Sequence, residues 1–578
     1  MSKELREIEE KIRKTLGVEV YCKEWRNSVV VEGIVDTWEQ LVTVGKLCAK
    51  RGFKGVVNKL QVKNLIIPDI KKPIISDSYL EGKVVDVLII GGGVIGCAIA
   101  RELSKFNISI LLVEKEEDVA MHTSSRNDGM IHPGIASKPG SKRGEYNVRG
   151  NKMYSKITEE LKVDFKRAGN IILYPKGWMR VVTPLVYKRA RALGVEGVEH
   201  ISKKQLKELE PNITDLAAGG FSFPTTGILS PYKLTVAYAE NAVKNGAEIS
   251  LNTVVNSMKK EEGKIVAVET NRGKILPSIV INAAGVYADK IASMADDQFF
   301  SIHPRKGEIV ILDKKKGNLF TRVLAMPSVK QGASTTKGGG LLRTIEDNIL
   351  IGPDAYEQPY LEDYSTHIEN ITAILNKHLP LIKGLCNSDV INYFSGIRAA
   401  TYEEEFIIEK SKTVTNLIYA AGIQSPGLAS APAIAEDIKN ITIKILSESK
   451  KVCEKESFNP IRKTVPNMSK LSFEEKTKII KENPNYGLII CRCEGISKGE
   501  IIDTINSPVP VKTLDGIKRR VRTGMGRCQG GFCTPLVMDI ISEELKLDLL
   551  NITKKGRESF ILTEETKMGT RGEFNGEI

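Results

Sequence analysis

The chain has 578 residues, of which 41% are apolar and 27% charged, and its formal net charge is +13. This composition excludes wholesale disorder, and the length predicts about three to five structural units. No run of about 18 uncharged apolar residues occurs, which predicts no transmembrane helix, and the N-terminus lacks a secretory signal pattern. We therefore expect a cytoplasmic protein. The basic charge suits an anionic substrate, an acidic protein or a membrane surface, and no nucleic-acid motif accompanies it.

Residues 1–64 have the pattern of a small α/β unit. The predicted elements are a helix over 3–15, a strand over Ser28–Gly33, a helix over 37–51 and a strand over Gly55–Val62. This order resembles a BON-type domain, and a generic α/β addition remains an alternative. Residues 65–82, which contain two prolines, indicate a linker.

A glycine-rich turn follows the next predicted strand. Val84–Ile90 is a continuous apolar run, typical of a buried parallel strand, and it leads into Gly91-Gly-Gly-Val-Ile-Gly96 and a helical pattern. Gly91 allows the tight turn, Gly93 lets the backbone approach a pyrophosphate, and Gly96 lets helix and strand pack closely. A second strand ends at Glu114, which can bind the ribose hydroxyls. The pattern predicts dinucleotide binding and leaves NAD and FAD both open.

Three later segments resemble the D-amino-acid-oxidase superfamily of FAD enzymes: Gly220–Thr235, Val280–Asp289 and Leu417–Ser430. The resemblance implies an α/β fold over 83–445, with a Rossmann-type FAD-binding domain and an interleaved α+β substrate domain. It also implies that FAD is the ligand and that a helix begins after the last segment, with its N-terminus facing the flavin. The cofactor contacts that it implies, beyond the three glycines and Glu114, are Ser124, Ser125, Ala284, Gly285, Gly422, Gln424, Ser425 and Gly427.

Thr123–Gly134 and Phe394–Arg398 resemble segments of two close families, the L-2-hydroxyglutarate dehydrogenases and the anaerobic glycerol-3-phosphate dehydrogenase catalytic subunits. Both families oxidise a secondary alcohol beside an anionic group, so a base and an anion anchor are expected. Arg398 is the first candidate for the anchor, because a guanidinium binds carboxylate or phosphate with two hydrogen bonds. His132 is a candidate base or flavin contact. Lys337 and Arg126 are further candidates for anion binding.

Four cysteines lie together in a C-x-C … C-x4-C pattern after a connector over 446–484. They are Cys491, Cys493, Cys528 and Cys533. Four thiolates can hold a [2Fe–2S] cluster or a zinc ion. The residues over 485–550 resemble the bacterioferritin-associated-ferredoxin-like [2Fe–2S] domain, which implies the cluster, and 551–578 are expected to form a charged tail. In the anaerobic dehydrogenase subunits such a domain implies that electrons leave through the cluster to a partner subunit.

These features together predict an FAD-dependent dehydrogenase that oxidises glycerol 3-phosphate to dihydroxyacetone phosphate and passes electrons through a [2Fe–2S] cluster. Two alternatives remain. One is a dehydrogenase for L-2-hydroxyglutarate or another 2-hydroxy acid, and the other is a non-catalytic electron-transfer subunit. The basic charge adds the expectation of an acidic electron-accepting partner or peripheral association with the inner face of a membrane.

Overall fold

The computed structural model describes residues 3–49, 52–326 and 339–564. The chain divides into two compact units, one of residues 1–115 and 119–462 and the other of residues 116–118 and 463–578. Within the described residues, no helix combines the length and apolar character needed to cross a membrane.

The N-terminal part of the first unit is a small α/β layer. Its elements are α1 (Lys3–Leu16), β1 (Val20–Trp25), β2 (Ser28–Val35), α2 (Trp38–Cys48), β3 (Gly55–Asn58) and β4 (Gln61–Val62). β1 is antiparallel to β2, and β3 and β4 run parallel to successive halves of β2. The single strand expected over Gly55–Val62 is thus two strands, because the side chain of Asn58 accepts a hydrogen bond from the Leu60 N–H and interrupts the ladder. The resemblance to a BON-type domain stays a prediction.

The rest of the first unit contains two large sheets with helices around them. Its elements are β5 (Lys83–Ile90), α3 (Val94–Leu103), β6 (Ile110–Val113), β7 (Met130–Ile131), α4 (Lys142–Glu160), β8 (Phe165–Lys166), β9 (Asn170–Tyr174), α5 (Thr183–Leu193), β10 (Glu199–Ser202), α6 (Lys203–Leu209), β11 (Gly219–Phe223), β12 (Gly227–Leu229), α7 (Pro231–Lys244), β13 (Glu248–Ser250), β14 (Val255–Glu261), β15 (Lys264–Thr270), β16 (Gly273–Asn282), α8 (Ala288–Met294), β17 (Ile302–Leu312), β18 (Val323–Ala325), β19 (Gly340–Arg343), β20 (Ile349–Gly352), β21 (Tyr356–Glu357), α9 (Ile368–His378), β22 (Val390–Thr401), β23 (Ile407–Lys410), β24 (Leu417–Ala421) and α10 (Gly427–Leu446).

The first large sheet confirms the α/β class. Its strand order is β13-β6-β5-β16-β15-β14. β24 also pairs with β16, at residues beyond those that pair with β15. β13, β6, β5, β16 and β24 are mutually parallel, so their carboxyl ends meet at one edge. The core beneath that edge consists of buried apolar residues of these strands, such as Leu88, Leu111 and Val280. The arrangement brings the loops after these strands together.

The second large sheet has the order β10-β11-β9-β18-β19-β20-β17-β21, with β22 paired to β17. β17 and β22 form a long antiparallel pair in which Arg305 lies directly opposite Arg398. Two arginines therefore lie side by side at the point where this sheet meets the edge of the first sheet.

The second unit is a small helical layer around a short hairpin. Its elements are α11 (Phe473–Glu482), β25 (Ile489–Cys491), β26 (Ile496–Ser497), α12 (Lys498–Ile505), α13 (Leu514–Val521) and α14 (Thr534–Leu545). Cys491 and Cys533 are buried among the apolar side chains of these elements. Ile552, in the segment expected to be a charged tail, is fully buried in the same core.

Candidate functional site

The glycine turn after β5 has the geometry that the sequence predicts. Gly91 has a φ of +113°, and a Cβ there would lie 2.5 Å from the carbonyl oxygen of Ala283. A Cβ on Gly96 would come closer than 3.0 Å to the carbonyl oxygen of Gly91, so the close packing of α3 against β5 needs a glycine. Gly93 is the N-cap of α3 and would meet only the Ser124 hydroxyl, at 3.2 Å. The open N-terminus of α3 is suited to a pyrophosphate.

Glu114 follows β6 and lies beside this turn. Its Oε2 accepts a hydrogen bond from the Gly92 N–H at 2.6 Å, and its side chain lines a cavity of about 140 Å³. The carboxylate thus holds the second residue of the turn and faces the space where a nucleotide ribose would lie. Contact with the ribose itself stays a prediction.

A second cavity, of about 170 Å³, adjoins the first. The two share five lining residues: Gly93, Thr123, Ser124, Ala283 and Gly285. We call the two together the flavin cleft. An elongated dinucleotide needs a continuous cleft of this kind, with the glycine turn near its middle.

The structure places most of the predicted cofactor residues on this cleft. Those that line it are Gly91, Gly93, Glu114, Ser124, Ala284, Gly285, Gln424, Ser425 and Gly427. Ser125 lies outside the lining and donates its hydroxyl hydrogen to the carbonyl of His122 at 3.2 Å. Gly96 and Gly422 also lie outside it and act through backbone packing. Gly422 has a φ of +64°, and a Cβ there would lie 2.8 Å from Thr401 Cγ2.

Arg398 lies at the far wall of the cleft. Its Nη2 donates to the carbonyl oxygen of Asp354 at 3.1 Å, and its Nη1 is buried with no hydrogen-bond partner among the described residues. Burial and the neighbouring charge of Arg305 lower the pKa of the Arg398 guanidinium, and the carboxylates of Asp128 and Asp354 oppose that effect. A desolvated cation with a donor left over is a strong anion-binding group.

The other predicted substrate residues differ in their placement. His132 lines the cleft, and its carbonyl oxygen accepts hydrogen bonds from Asn147 and Asn151 at 2.7 and 2.9 Å, which hold its backbone in place. Arg126 lines the cleft and its guanidinium lies 4.0 Å from the centre of the Tyr364 ring. Lys337 lies outside the described residues. The catalytic roles of these three stay predictions.

Sequence reasoning did not select Arg305 or Asp128 as site residues. Arg305 bonds to Gln424 at 3.1 Å, and Asp128 lines the cleft. Asp128 lies within Thr123–Gly134, a segment that carries the family resemblance. Arg305 was missed because it pairs with Arg398 across two strands that are far apart in the sequence, and no local sequence pattern indicates that pairing.

The four predicted cysteines come together in the second unit as two pairs. The sulfurs of Cys493 and Cys528 are 3.6 Å apart, and the neighbouring Cys533 thiol lowers the pKa of the Cys491 thiol. A single tetrahedral zinc ion would hold all four sulfurs about 3.8 Å from one another. Among the described residues, however, no three of these sulfurs lie within 4.8 Å of one another. Two pairs fit two iron ions that each take two thiolates.

A dinucleotide cleft that ends at a desolvated arginine, together with a separate four-thiolate site, defines a flavin-dependent oxidoreductase with an iron–sulfur domain. The family model for FAD dependent oxidoreductases, DAO, matches residues 86–440. The chain belongs to this family. The model of the BFD-like [2Fe-2S] binding domain matches residues 489–543, so the cofactors are FAD and a [2Fe–2S] cluster, as the sequence predicts.

Three individual proteins sharpen the comparison. The glycerol 3-phosphate dehydrogenase of Caloramator mitchellensis is 42% identical over 484 residues, which are 83% of this chain and 99% of that one. The L-2-hydroxyglutarate dehydrogenase of Escherichia coli K12 is 28% identical over 47% of this chain and 64% of its own length. The solved L-alpha-glycerophosphate oxidase of Mycoplasma pneumoniae with FAD bound has a TM-score of 0.60 at 26% identity, over 66% of this chain and 98% of that one.

Proposed function

We propose that this chain is a glycerol-3-phosphate dehydrogenase that produces dihydroxyacetone phosphate. The observation that carries the proposal is the buried, unpartnered Nη1 of Arg398 at the end of the flavin cleft. A phosphate there would accept a hydrogen bond from this Nη1 and would add negative charge beside the guanidinium. The 42% identity to a glycerol 3-phosphate dehydrogenase over most of the chain supports the same substrate.

Each protein group has a separate task in this proposal. Bound FAD supplies the hydride acceptor, and the cluster supplies a one-electron carrier. Arg398 binds the substrate phosphate and fixes the carbinol carbon within the cleft. His132 accepts the hydroxyl proton as that carbon is oxidised. Arg126 and Lys337 add positive charge that favours a dianion.

Anaerobic mixing of the FAD-loaded protein with each candidate substrate tests the proposal. We expect glycerol 3-phosphate to bleach the visible flavin band, and L-2-hydroxyglutarate to leave it unchanged. Arg398→Met should lower kcat/KM for glycerol 3-phosphate by about a hundredfold or more, because the phosphate would lose a charged hydrogen-bond donor. Lys63→Met is the control, since Lys63 pairs with Asp36 on the exposed surface of the N-terminal layer.

The second candidate substrate is L-2-hydroxyglutarate. The observation that favours it is that an arginine fork binds a carboxylate as well as a phosphate, and the Escherichia coli L-2-hydroxyglutarate dehydrogenase is 28% identical over 47% of this chain. Bleaching by the hydroxy acid and not by glycerol 3-phosphate would indicate that L-2-hydroxyglutarate is the substrate. Absence of bleaching by either compound would indicate a non-catalytic electron-transfer subunit.

We further propose that electrons leave the cluster to a separate protein. Cys528 is exposed, and the side chain of Phe532 beside it is 53% exposed. The Arg492 guanidinium lies 4.6 Å from the centre of the Phe532 ring. An apolar residue next to a cation at the rim of a redox centre suits a brief contact with an acidic acceptor protein. The test is the rate of reduction of an acidic ferredoxin, which Phe532→Ser should lower while the iron content stays at the parent level.

Peripheral membrane association is also proposed, on the surface around α5. Trp178, Val181 and Leu185 lie on successive helical turns, and each side chain is 67–68% exposed. Between Asp164 and Glu196 the sequence has seven lysine or arginine residues and no acidic residue. Exposed apolar side chains within a basic segment suit an anionic lipid surface.

Cosedimentation with lipid vesicles tests this surface. We expect binding to vesicles rich in phosphatidylglycerol, weak binding to phosphatidylcholine vesicles, and loss of binding in Trp178→Ser/Leu185→Ser. Phe473→Ser is the matched control, because Phe473 is 80% exposed on α11, away in sequence from this basic segment. Equal binding of the parent and the double variant would contradict the proposal.

A further inference from the structure

The N-terminal α/β layer contacts the strand that carries Arg398. β22 continues into Tyr402, and a Cβ on Gly45 of α2 would come closer than 3.0 Å to the Tyr402 ring. The Asn58 amide donates to the Tyr402 hydroxyl at 3.0 Å. The Tyr402 ring in turn stacks on His303 of β17, with ring centres 4.7 Å apart. The layer is therefore packed directly against the strands of the substrate side.

An ionic contact starts from the same helix. Lys46 of α2 bonds to Oε1 of Glu357 at 3.0 Å. The same carboxylate bonds to Nδ1 of His303 at 2.7 Å and to Nε of Arg305 at 3.1 Å. Burial favours the protonated carboxyl, yet the hydrogen bond with His303 and the charges of Arg305 and Lys46 lower the pKa of Glu357 to about 2. Glu357 therefore remains a carboxylate that joins three cationic or hydrogen-bonding groups.

Arg305 extends the contact to the flavin cleft. Its Nη1 donates to Oε1 of Gln424 at 3.1 Å, and its Nη2 donates to Glu404 at 2.5 Å. The Gln424 amide also donates to Glu404 at 2.5 Å. Gln424 lines the cleft, so a continuous series of hydrogen bonds runs from α2 to the wall of the flavin site.

We propose that Lys46 is a positioning residue for the flavin site and that the N-terminal layer holds this site in its working geometry. Lys46 partly neutralises the negative charge of the Glu357 carboxylate. Without Lys46, this carboxylate would attract Arg305 more strongly, and the hydrogen bond from Arg305 to Gln424 would weaken. The effect reaches the cleft through Glu357 and Arg305, and Lys46 itself contacts neither cofactor nor substrate. The proposal rests on FAD binding and does not depend on which alcohol is oxidised.

The test compares full-length variants by FAD affinity and by the visible absorption spectrum of the bound flavin. We expect Lys46→Met to weaken FAD binding by about three- to tenfold and to shift the flavin band, and Lys46→Arg to restore both. Lys63→Met, the exposed control on the same layer, should match the parent. In a Glu357→Gln background, Lys46→Met should have no further effect, because the group through which it acts is gone.

Two results would overturn the proposal. One is a Lys46→Met variant whose thermal unfolding midpoint falls while its FAD affinity and flavin spectrum equal those of the parent, which is the result of a purely structural contact. The other is full additivity of Lys46→Met and Glu357→Gln. Since the readout is cofactor binding, failure here leaves the substrate proposal untouched, and failure of glycerol 3-phosphate to bleach the flavin leaves this one untouched.

Discussion

The flavin cleft and the cysteine site hold their cofactors in different ways. The cleft is assembled from loops that follow β5, β6, β16 and β24, and it offers backbone N–H groups, glycines and a few polar side chains. The cysteine site lies in one short unit and offers the side chains of the four cysteines that we predict as ligands. Cofactor binding by backbone groups depends on the shape of the backbone, which substitutions at many positions can disturb to a small extent. Cofactor binding by side-chain ligands depends on the chemical identity of a few residues. Substitutions should therefore give graded losses in the cleft and all-or-none losses at the cluster.

The largest expected effect is at the cysteine site. Cys491→Ser should abolish the cluster, because one iron would lose a thiolate ligand, while the FAD content stays at the parent level. Iron, acid-labile sulfide and FAD per chain are the measurements. Cys453→Ser is the control, since Cys453 is exposed and lies in the first unit. Full iron content in Cys491→Ser would refute the assignment of the ligand.

A methyl group in the glycine turn should have the next largest effect. Gly96→Ala would force α3 away from β5, and we expect it to lower the free energy of unfolding by about 3 kcal/mol and to weaken FAD binding strongly. Gly93→Ala is the matched comparison, because its Cβ would meet only the Ser124 hydroxyl at 3.2 Å. Urea unfolding of both variants measures the difference in stability, which is the comparison that isolates the packing at Gly96. Equal losses would mean that close packing is not what selects Gly96.

A pH-dependent effect is expected at Glu403. Burial raises the pKa of its carboxyl from 4.5 to about 7, and its Oε1 is buried without a hydrogen-bond partner among the described residues. The folded chain then binds more protons than the unfolded chain between pH 4.5 and 7, so stability falls as the pH rises through that window. Glu403→Gln should remove the fall and stabilise the first unit at pH 8 by up to about 3 kcal/mol. Unfolding curves at pH 5 and pH 8 measure this, and an unchanged difference between the two would contradict it.

The smallest expected effect separates two neighbouring serines. Ser124 Oγ accepts a hydrogen bond from the Val94 N–H at the start of α3, at 2.9 Å, and it lines the cleft. Ser124→Ala should therefore cost about 1 kcal/mol in stability and a few-fold in FAD affinity. Ser125→Ala should leave FAD affinity near the parent value, because Ser125 lies outside the lining. FAD titration decides, and a larger loss in Ser125→Ala would restore the sequence-based assignment of Ser125 as a contact.

The sequence predicts local features well and contacts between distant residues poorly. The glycine turn, the strand before it and the acid after the next strand were predicted because each depends on a few adjacent residues. The break between β3 and β4 was missed, because the Asn58 side chain takes over a backbone hydrogen bond there. Arg305 was missed because its importance comes from pairing with Arg398 across two strands that lie far apart in the chain.

By itself the sequence determined the parallel α/β class and the glycine turn, and it predicted the four cysteine ligands, since periodicity, glycine placement and cysteine spacing are properties of short segments. Only the tertiary structure decided that Arg398 is desolvated with a donor left over, that the cysteines form two pairs, and that α2 joins the flavin cleft through Glu357 and Arg305. These features require residues distant in the chain to be brought together and shielded from water, which no local pattern encodes.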